Sequence, residues 1–87
     1  MTDSVRLWLV EREYDDKGLV RLVYATPDGD RLQVSERSAT MLQHRGVTAA
    51  TEAEPDRLDD VTDAETRERY RAEVERVRSR HGPDEAI

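Results

Sequence analysis

The sequence of 87 residues contains no cysteine, no phenylalanine and no asparagine, and Ile87 is its only isoleucine. Without cysteine the chain can form no disulfide and offers no thiolate, which fits a reducing compartment. Its apolar runs fall well short of the roughly 18 residues that a membrane-spanning helix needs. The first residues also lack the basic and apolar regions of a signal peptide. We therefore expect a soluble cytoplasmic protein without a membrane partner.

Lysine is nearly absent too. Lys17 stands alone beside thirteen arginines, and twenty acidic residues bring the net charge to −6. Leucine, isoleucine, valine and phenylalanine make up only 17 of the 87 residues, a content close to that of disordered chains. The segment 52–68 holds eight acids against two arginines, so its net charge equals that of the whole chain. We expect one small domain with a thin core.

Two turn signals, at 15–18 and 26–29, organise the first third of the chain. Their sequences are Asp-Asp-Lys-Gly and Thr-Pro-Asp-Gly, the pattern of a type I turn followed by a residue with positive φ. The runs 5–14, 19–25 and 31–36 around them are rich in β-branched and aromatic residues. The sequence therefore predicts a three-stranded antiparallel meander.

The turns also predict how the strands align, with Leu22 opposite Arg12 in the first strand and opposite Val34 in the third. Because side chains alternate between the faces of a sheet, this alignment gathers most apolar residues on one face. The residues of that face are Trp8, Val10, Tyr14, Val20, Leu22, Tyr24, Leu32 and Val34. We expect the C-terminal helix to cover it.

The same alignment leaves a smaller apolar group at one end of the opposite face. An apolar patch of this kind needs a cover, which could be the segment 47–51, a second copy of the chain, or another protein. The patch consists of Val5, Leu7, Leu9, Val23 and Ala25. Leu7, Leu9, Val23 and Ala25 are the candidate partner-binding residues.

A short helix after the sheet is predicted to begin at the cap Ser38 and to end before Gly46, with Met41 and Leu42 turned inward. The segment 47–51 that follows is a candidate fourth strand, ahead of an acidic loop.

The clearest helix begins at a capping box formed by Thr62 and Glu65 and ends before Gly82 and Pro83, a strong stop signal. Its apolar residues recur at spacings of three and four along one stripe. They are Tyr70, Val74, Val77 and His81.

Catalytic, cofactor-binding and metal-ligating constellations are not found in the sequence. Asp59, Asp60 and Asp63 form the string DDxxD, which holds magnesium in prenyl-transferring enzymes, but within a helical cavity that this chain is too small to build. We interpret them as acids leading into the positive end of a helix. His44 and His81 lie in different elements and lack ligand spacing. We predict no catalytic residue, no cofactor and no metal, and keep a small enzyme as the third hypothesis.

Nucleic-acid binding is the alternative function, because Arg67, Arg71 and Arg78 line one flank of the long helix and arginine suits phosphate geometry. A three-stranded sheet followed by a helix also resembles the later part of double-stranded RNA-binding domains. Against this, the chain is acidic, its helical arginines alternate with glutamates, and the polar sheet face offers no aromatic side chain for stacking.

In composition the chain resembles the small acidic uncharacterised proteins of salt-loving archaea. The resemblance is carried by the sparse lysine, the abundant Asp, Glu, Thr and Val, and stretches such as 54–60 and 62–70. It carries no functional motif, so it transfers no site. A GC-rich bacterium such as an actinomycete is the alternative source.

Together these features predict a single α+β domain over residues 1–82 and a frayed tail at 83–87. The domain is a three-stranded antiparallel meander, with 47–51 as a candidate fourth strand, covered on one face by the C-terminal helix. The predicted function is non-catalytic association, as a homodimer or as an adaptor or regulatory subunit.

The thin core and the acid-rich segment 52–68 predict that molar KCl stabilises the fold, because counterions screen the carboxylates from one another. The free energy of unfolding, followed by circular dichroism, should rise between low salt and about 2 M KCl, a concentration at which surface charges are fully screened. Equal values at both salt concentrations would contradict the prediction.

Overall fold

A computed structural model of the chain describes residues 3–87. Within them, five strands form one sheet in the order β4-β1-β2-β3-β5, and every neighbouring pair is antiparallel. The elements are β1 (Val5–Tyr14), β2 (Leu19–Ala25), β3 (Arg31–Ser38), α1 (Ala39–Arg45), β4 (Ala50–Ala53), β5 (Asp59–Asp60) and α2 (Ala64–Arg80), with a turn of 3₁₀ helix at Pro55–Arg57. The predicted α+β class is confirmed, with its antiparallel meander and C-terminal helix.

The fourth and fifth strands lie at the two edges of the sheet. β4 pairs with the first half of β1 and begins three residues later than the candidate strand 47–51. β5 was not predicted, because its two aspartates carry no strand pattern. It pairs with Arg31 and Leu32 of β3, next to a bond from the Val61 N–H to the Asp30 carbonyl at 2.8 Å.

The first hairpin follows the predicted alignment up to a β-bulge. Arg12 lies opposite Leu22 as predicted, but the register shifts between Leu9 and Glu11, so that Leu9 faces Tyr24. A bulge adds one residue to one strand and breaks the alternation of side chains between the faces. Relative to the residues before the bulge, those after it therefore point to the face opposite the one that a regular strand would give them.

The second hairpin departs from the prediction by one residue. Val34 lies opposite Val23, and Leu22 lies opposite Ser35, so Leu22 and Val34 are on opposite faces and the predicted alignment is wrong here. The cause is the length of the loop. The Thr26 N–H bonds to the Arg31 carbonyl at 3.0 Å, which leaves four residues in the loop instead of three.

As a result the sheet is apolar on both faces, and the predicted one-sided core is wrong. The face under α2 forms one core, here called the α2 core: Trp8, Val23, Ala25, Ala49, Ala50, Val61, Tyr70, Val74 and Val77. The face under α1 forms the other, the α1 core: Leu7, Leu9, Val20, Leu22, Tyr24, Val47 and Ala53, with Ala39 and Leu42 packed against it. The sheet is therefore the middle of three layers.

The helix boundaries follow the sequence closely. Ser38 caps α1 by accepting from the Met41 N–H, and Gly46 ends it, although Met41 is 46% exposed and not turned inward as predicted. The cap of α2 is Asp63 and not Thr62, because its carboxylate accepts from the N–H of Thr66 at 3.0 Å and from its hydroxyl at 2.7 Å. Thr66 thereby lowers the pKa of Asp63.

Gly29, in the loop between β2 and β3, lies close against the backbone of α2. Its φ is +76°, and a Cβ built there would overlap with the backbone oxygen of Arg67 and lie 3.0 Å from the backbone nitrogen of Arg71. Gly18, in the first hairpin, has a similar φ of +84° with nothing within 4 Å of such a Cβ. Only Gly29 is therefore required by packing as well as by backbone conformation.

Alanine at these two glycines should separate the two effects. Gly18→Ala should cost about 1 kcal/mol, the cost of a left-handed conformation for an L residue. Gly29→Ala should cost about 3 kcal/mol or more, because α2 must also move away from the hairpin. Urea denaturation measures both, and equal losses of stability would show that α2 does not rest on Gly29.

Candidate protein-interaction site

The four candidate partner-binding residues do not share a surface. Leu7 and Leu9 lie in the α1 core and Val23 and Ala25 in the α2 core, and none is more than 7% exposed. The bulge in β1 separates the two pairs. The predicted exposed patch is therefore wrong, because α1 with Val47 covers one pair and α2 covers the other.

The arginines of the nucleic-acid alternative, Arg67, Arg71 and Arg78, are exposed on α2. Arg71 pairs with Glu68, and Arg78 pairs with Glu75 at 2.8 Å. The hydrogen bonds that Arg71 donates to the Glu68 carboxylate raise the pKa of Arg71. Each of these carboxylates lies beside the guanidinium that would contact a phosphate, so the charges of Arg71 and Arg78 are compensated within the helix.

The acidic string leading into α2 is spread over two elements. Asp59 and Asp60 form β5, while the Asp63 carboxylate is engaged in capping. Within residues 3–87, no group of three His, Cys, Asp or Glu residues is placed to hold a metal ion. None of the helices described there combines the length and apolar content needed to cross a membrane.

A shallow groove of about 310 Å³ runs between α1 and the strands β1 and β2. Arg12 lies at its rim, with its guanidinium 6.0 Å from the centre of the Tyr14 ring and its Nη1 donating to the carbonyl of Ile87 at 3.0 Å. The other lining residues are Val20, Ala39, Leu42, Gln43, Gly46 and Val47. The groove can receive an apolar side chain. The Arg12 guanidinium stays protonated, so it can serve there as neither a general acid nor a general base.

Tyr24 packs under α1 with its ring in the α1 core. Burial raises the pKa of its phenol, while Arg37 and Arg12 act in the opposite direction. Both arginines lie on the α1 side of the sheet, because Arg12 is opposite Leu22 and Arg37 is opposite Val20.

The C-terminal segment bonds along residues 47–50, at the start of the β4 edge, so the prediction of a frayed tail at 83–87 is wrong. Thr48 and Ala86 form an antiparallel bridge. Three backbone bonds join the two segments: Ala50 N–H to the Pro83 carbonyl at 3.1 Å, Ala49 N–H to the Glu85 carbonyl at 2.8 Å, and Ile87 N–H to the Val47 carbonyl at 2.8 Å. A strand from another molecule would have to displace this segment in order to pair with residues 47–50.

The Glu85 carboxylate fastens the tail to the end of α2. Its Oε1 lies 2.9 Å from Nδ1 of His81, and its Oε2 accepts from the N–H of Gly82 at 3.1 Å. These two contacts lower the pKa of Glu85.

At the opposite edge of the sheet, the backbone bonds of β3 show which residues face outward. Thr26 N–H bonds to the Arg31 carbonyl at 3.0 Å, and Ala39 N–H bonds to the Gly18 carbonyl at 2.8 Å. In an antiparallel pair every second residue bonds to the neighbouring strand. The odd-numbered residues of β3 therefore bond to β2, and the even-numbered ones point their N–H and C=O groups away from it.

The outer side of β3 is occupied only at its start. β5 pairs with Arg31 and Leu32, and within residues 3–87 no strand pairs with Val34 or Glu36 on that side. The Val34 side chain is also 39% exposed. We call residues 33–38 the open edge of β3. It was missed in the sequence, where the only signal is an isolated valine within a polar strand.

The fold and this edge define a small α+β protein with one sheet edge partly covered by the tail and one open sheet edge. Its whole sequence, residues 1–87, matches the family of unknown function DUF7967, and the chain belongs to that family. Comparison with curated proteins and with solved structures found no match.

Because Glu85 has a lowered pKa, its contacts hold the tail at neutral pH and are lost as the pH falls below the ordinary range of a glutamate and through that lowered pKa. Hydrogen-exchange protection of the Ala49 and Ile87 amides, corrected for intrinsic exchange, should fall over this pH interval. Glu85→Gln should show reduced protection already at pH 7 and a weaker pH dependence. Asp63→Asn is the matched control at the far end of α2. A Glu85→Gln variant with the wild-type pH dependence would contradict this account.

Proposed function

We propose that the protein is a non-catalytic protein-interaction module, acting as a homodimer or as an adaptor, and that it binds through the open edge of β3. The observation that supports this is the contrast between the two edges. The tail bonds to Ala49 and Ala50 at the start of β4, whereas the N–H and C=O groups of Val34 and Glu36 point outward without a pairing strand among residues 3–87. Unpaired strand edges are templates for the addition of a strand.

The open edge offers limited binding energy through its backbone alone. An antiparallel strand can form four backbone bonds with Val34 and Glu36, each contributing about 1 kcal/mol net. Association itself costs at least about 4 kcal/mol. The side chains beside the edge must therefore supply the surplus that selects a partner.

The groove between α1 and the strands is a second apolar contact surface for the same role. It is lined on one side by Leu42 and Val47, while Tyr14 stands 68% exposed at its rim. A partner that reaches it would bury these side chains. The paired arginines of α2 favour this role over nucleic-acid binding.

We place this role in the cytoplasm of a salt-rich cell. The absence of cysteine, the acidic surface and the preference for arginine over lysine support that setting. High net charge keeps such a protein soluble while one edge remains open.

Proline and threonine at position 34 test the role of the edge. Val34→Pro removes the outward N–H and should weaken partner binding at least tenfold, because one bond is lost and the pyrrolidine ring obstructs the strand. Val34→Thr keeps the N–H and the β-branched shape and should bind nearly as wild type. The measurement is quantitative recovery of partners from the native host, with hydrogen exchange at Val34 and Glu36 in the purified complex. Partners that remain bound to Val34→Pro, or unprotected amides in the complex, would refute the use of this edge.

A further inference from the structure

We infer that the open edge of β3 binds an extended segment of a different protein, one that places a basic residue opposite Glu36, and that it does not bind a second copy of this chain. This inference rests on the proposed function of the edge and names its partner. It follows from the few registers in which two copies of β3 can meet and from the charges beside them.

Two copies that pair through β3 are related by a two-fold axis, so the contact is isologous. The strands then run antiparallel, and opposed residues must lie on the same face of the joined sheet. These conditions require the pairing to be centred on one residue, which pairs with itself. The centres that have open-edge residues on both sides are Val34, Ser35, Glu36 and Arg37.

Two of these registers collide with β5. Centring on Val34 brings Glu36 of the second copy opposite Leu32, and centring on Ser35 brings Ser38 of the second copy to the same place. The outer side of Leu32 is already paired with Asp59. Neighbouring strands lie about 4.8 Å apart, so β5 and the second copy cannot share that position.

The other two registers oppose like charges. Centring on Glu36 brings its carboxylate against the same residue of the second copy, and centring on Arg37 does the same with two guanidinium groups. Like charges directly opposite each other destabilise a strand pair. All four registers are therefore disfavoured, which is how proteins protect an open edge from self-association.

The same charges favour a strand from a different protein. Arg21, the neighbour of Glu36 in β2, already lies 3.7 Å from Glu13 on its other side. The position outward of Glu36 is thus free for a cation. Arg37 points to the opposite face, where an acidic residue of the partner would complement its charge. Val34 lies on the same face as Glu36 and offers an apolar contact.

For an antiparallel partner these positions read, from its N-terminus, acidic, basic, any residue and apolar, opposite Arg37, Glu36, Ser35 and Val34. The bound segment therefore has a defined charge pattern over four residues. A peptide that carries the two charges in reverse order opposes like charges at both positions and serves as the matched control.

The first experiment titrates two capped peptides, TEKTVT and its charge-reversed control TKETVT, into the ¹⁵N-labelled chain. We expect the Val34 and Glu36 amide resonances to shift with both, and TEKTVT to bind about tenfold more tightly, as two favourable cross-strand pairs replace two unfavourable ones. The double variant Glu36→Lys/Arg37→Glu should reverse that preference, since both side chains are exposed and their exchange leaves the core intact. Equal affinities, or no shift at either amide, would overturn the inference.

The second experiment measures self-association by sedimentation. The wild-type chain should stay monomeric at high micromolar concentration, while Glu36→Gln, which removes the like-charge pair, should associate at least about threefold more strongly. A wild-type dimer with protected Val34 and Glu36 amides would overturn the choice of partner and leave the proposed role of the edge standing. The proposed role of the edge would itself be refuted if partners remained bound to the Val34→Pro variant.

Discussion

The extra residue that β1 carries at its bulge determines which side chains the rest of the structure can use. Before it, Leu9 points into the α1 core; after it, Glu11 lies on the α2 side and accepts from Arg69 at 2.9 Å. Without the bulge Glu11 would share the face of Leu9, within an apolar layer. Arg12 is turned the other way by the same shift and reaches the carbonyl of Ile87. The bulge thus directs one charged residue to the long helix and one to the C-terminal tail.

These polar contacts orient the layers more than they stabilise them. The Arg69 and Glu11 side chains are both partly exposed, and exposed ion pairs contribute about 0–1 kcal/mol. Most of the stabilisation comes from apolar burial on two faces. That arrangement explains how a chain with so few large aliphatic residues folds, because each central strand is buried on both sides. Small residues such as Ala25 and Ala49, which are fully buried, let the covering elements approach closely, and Trp8 and Tyr70 fill the remaining volume of the α2 core.

Side-chain pattern and turn chemistry predict the class, the meander, the caps near Ser38 and Asp63, and the stop at Gly82. They do not predict the bulge, since Val10 stands in a continuous apolar run where one inserted residue leaves no mark. Nor do they settle whether Asp30 belongs to a loop or a strand, which alone shifts the second hairpin by one residue. The predicted patch depended on both alignments. The open edge could not be predicted, because it is defined by how far β5 extends, a matter of backbone pairing that side chains do not encode.

The tail has a consequence for the size of any assembly this protein joins. The Pro83 and Glu85 carbonyls are bonded at the start of the β4 margin, whereas no strand among residues 3–87 pairs with Val34 or Glu36 at the β3 margin. A sheet that continued through this molecule would have to displace the tail from Ala49 and Ala50. The chain is therefore better suited to end a β-sheet than to repeat within a filament.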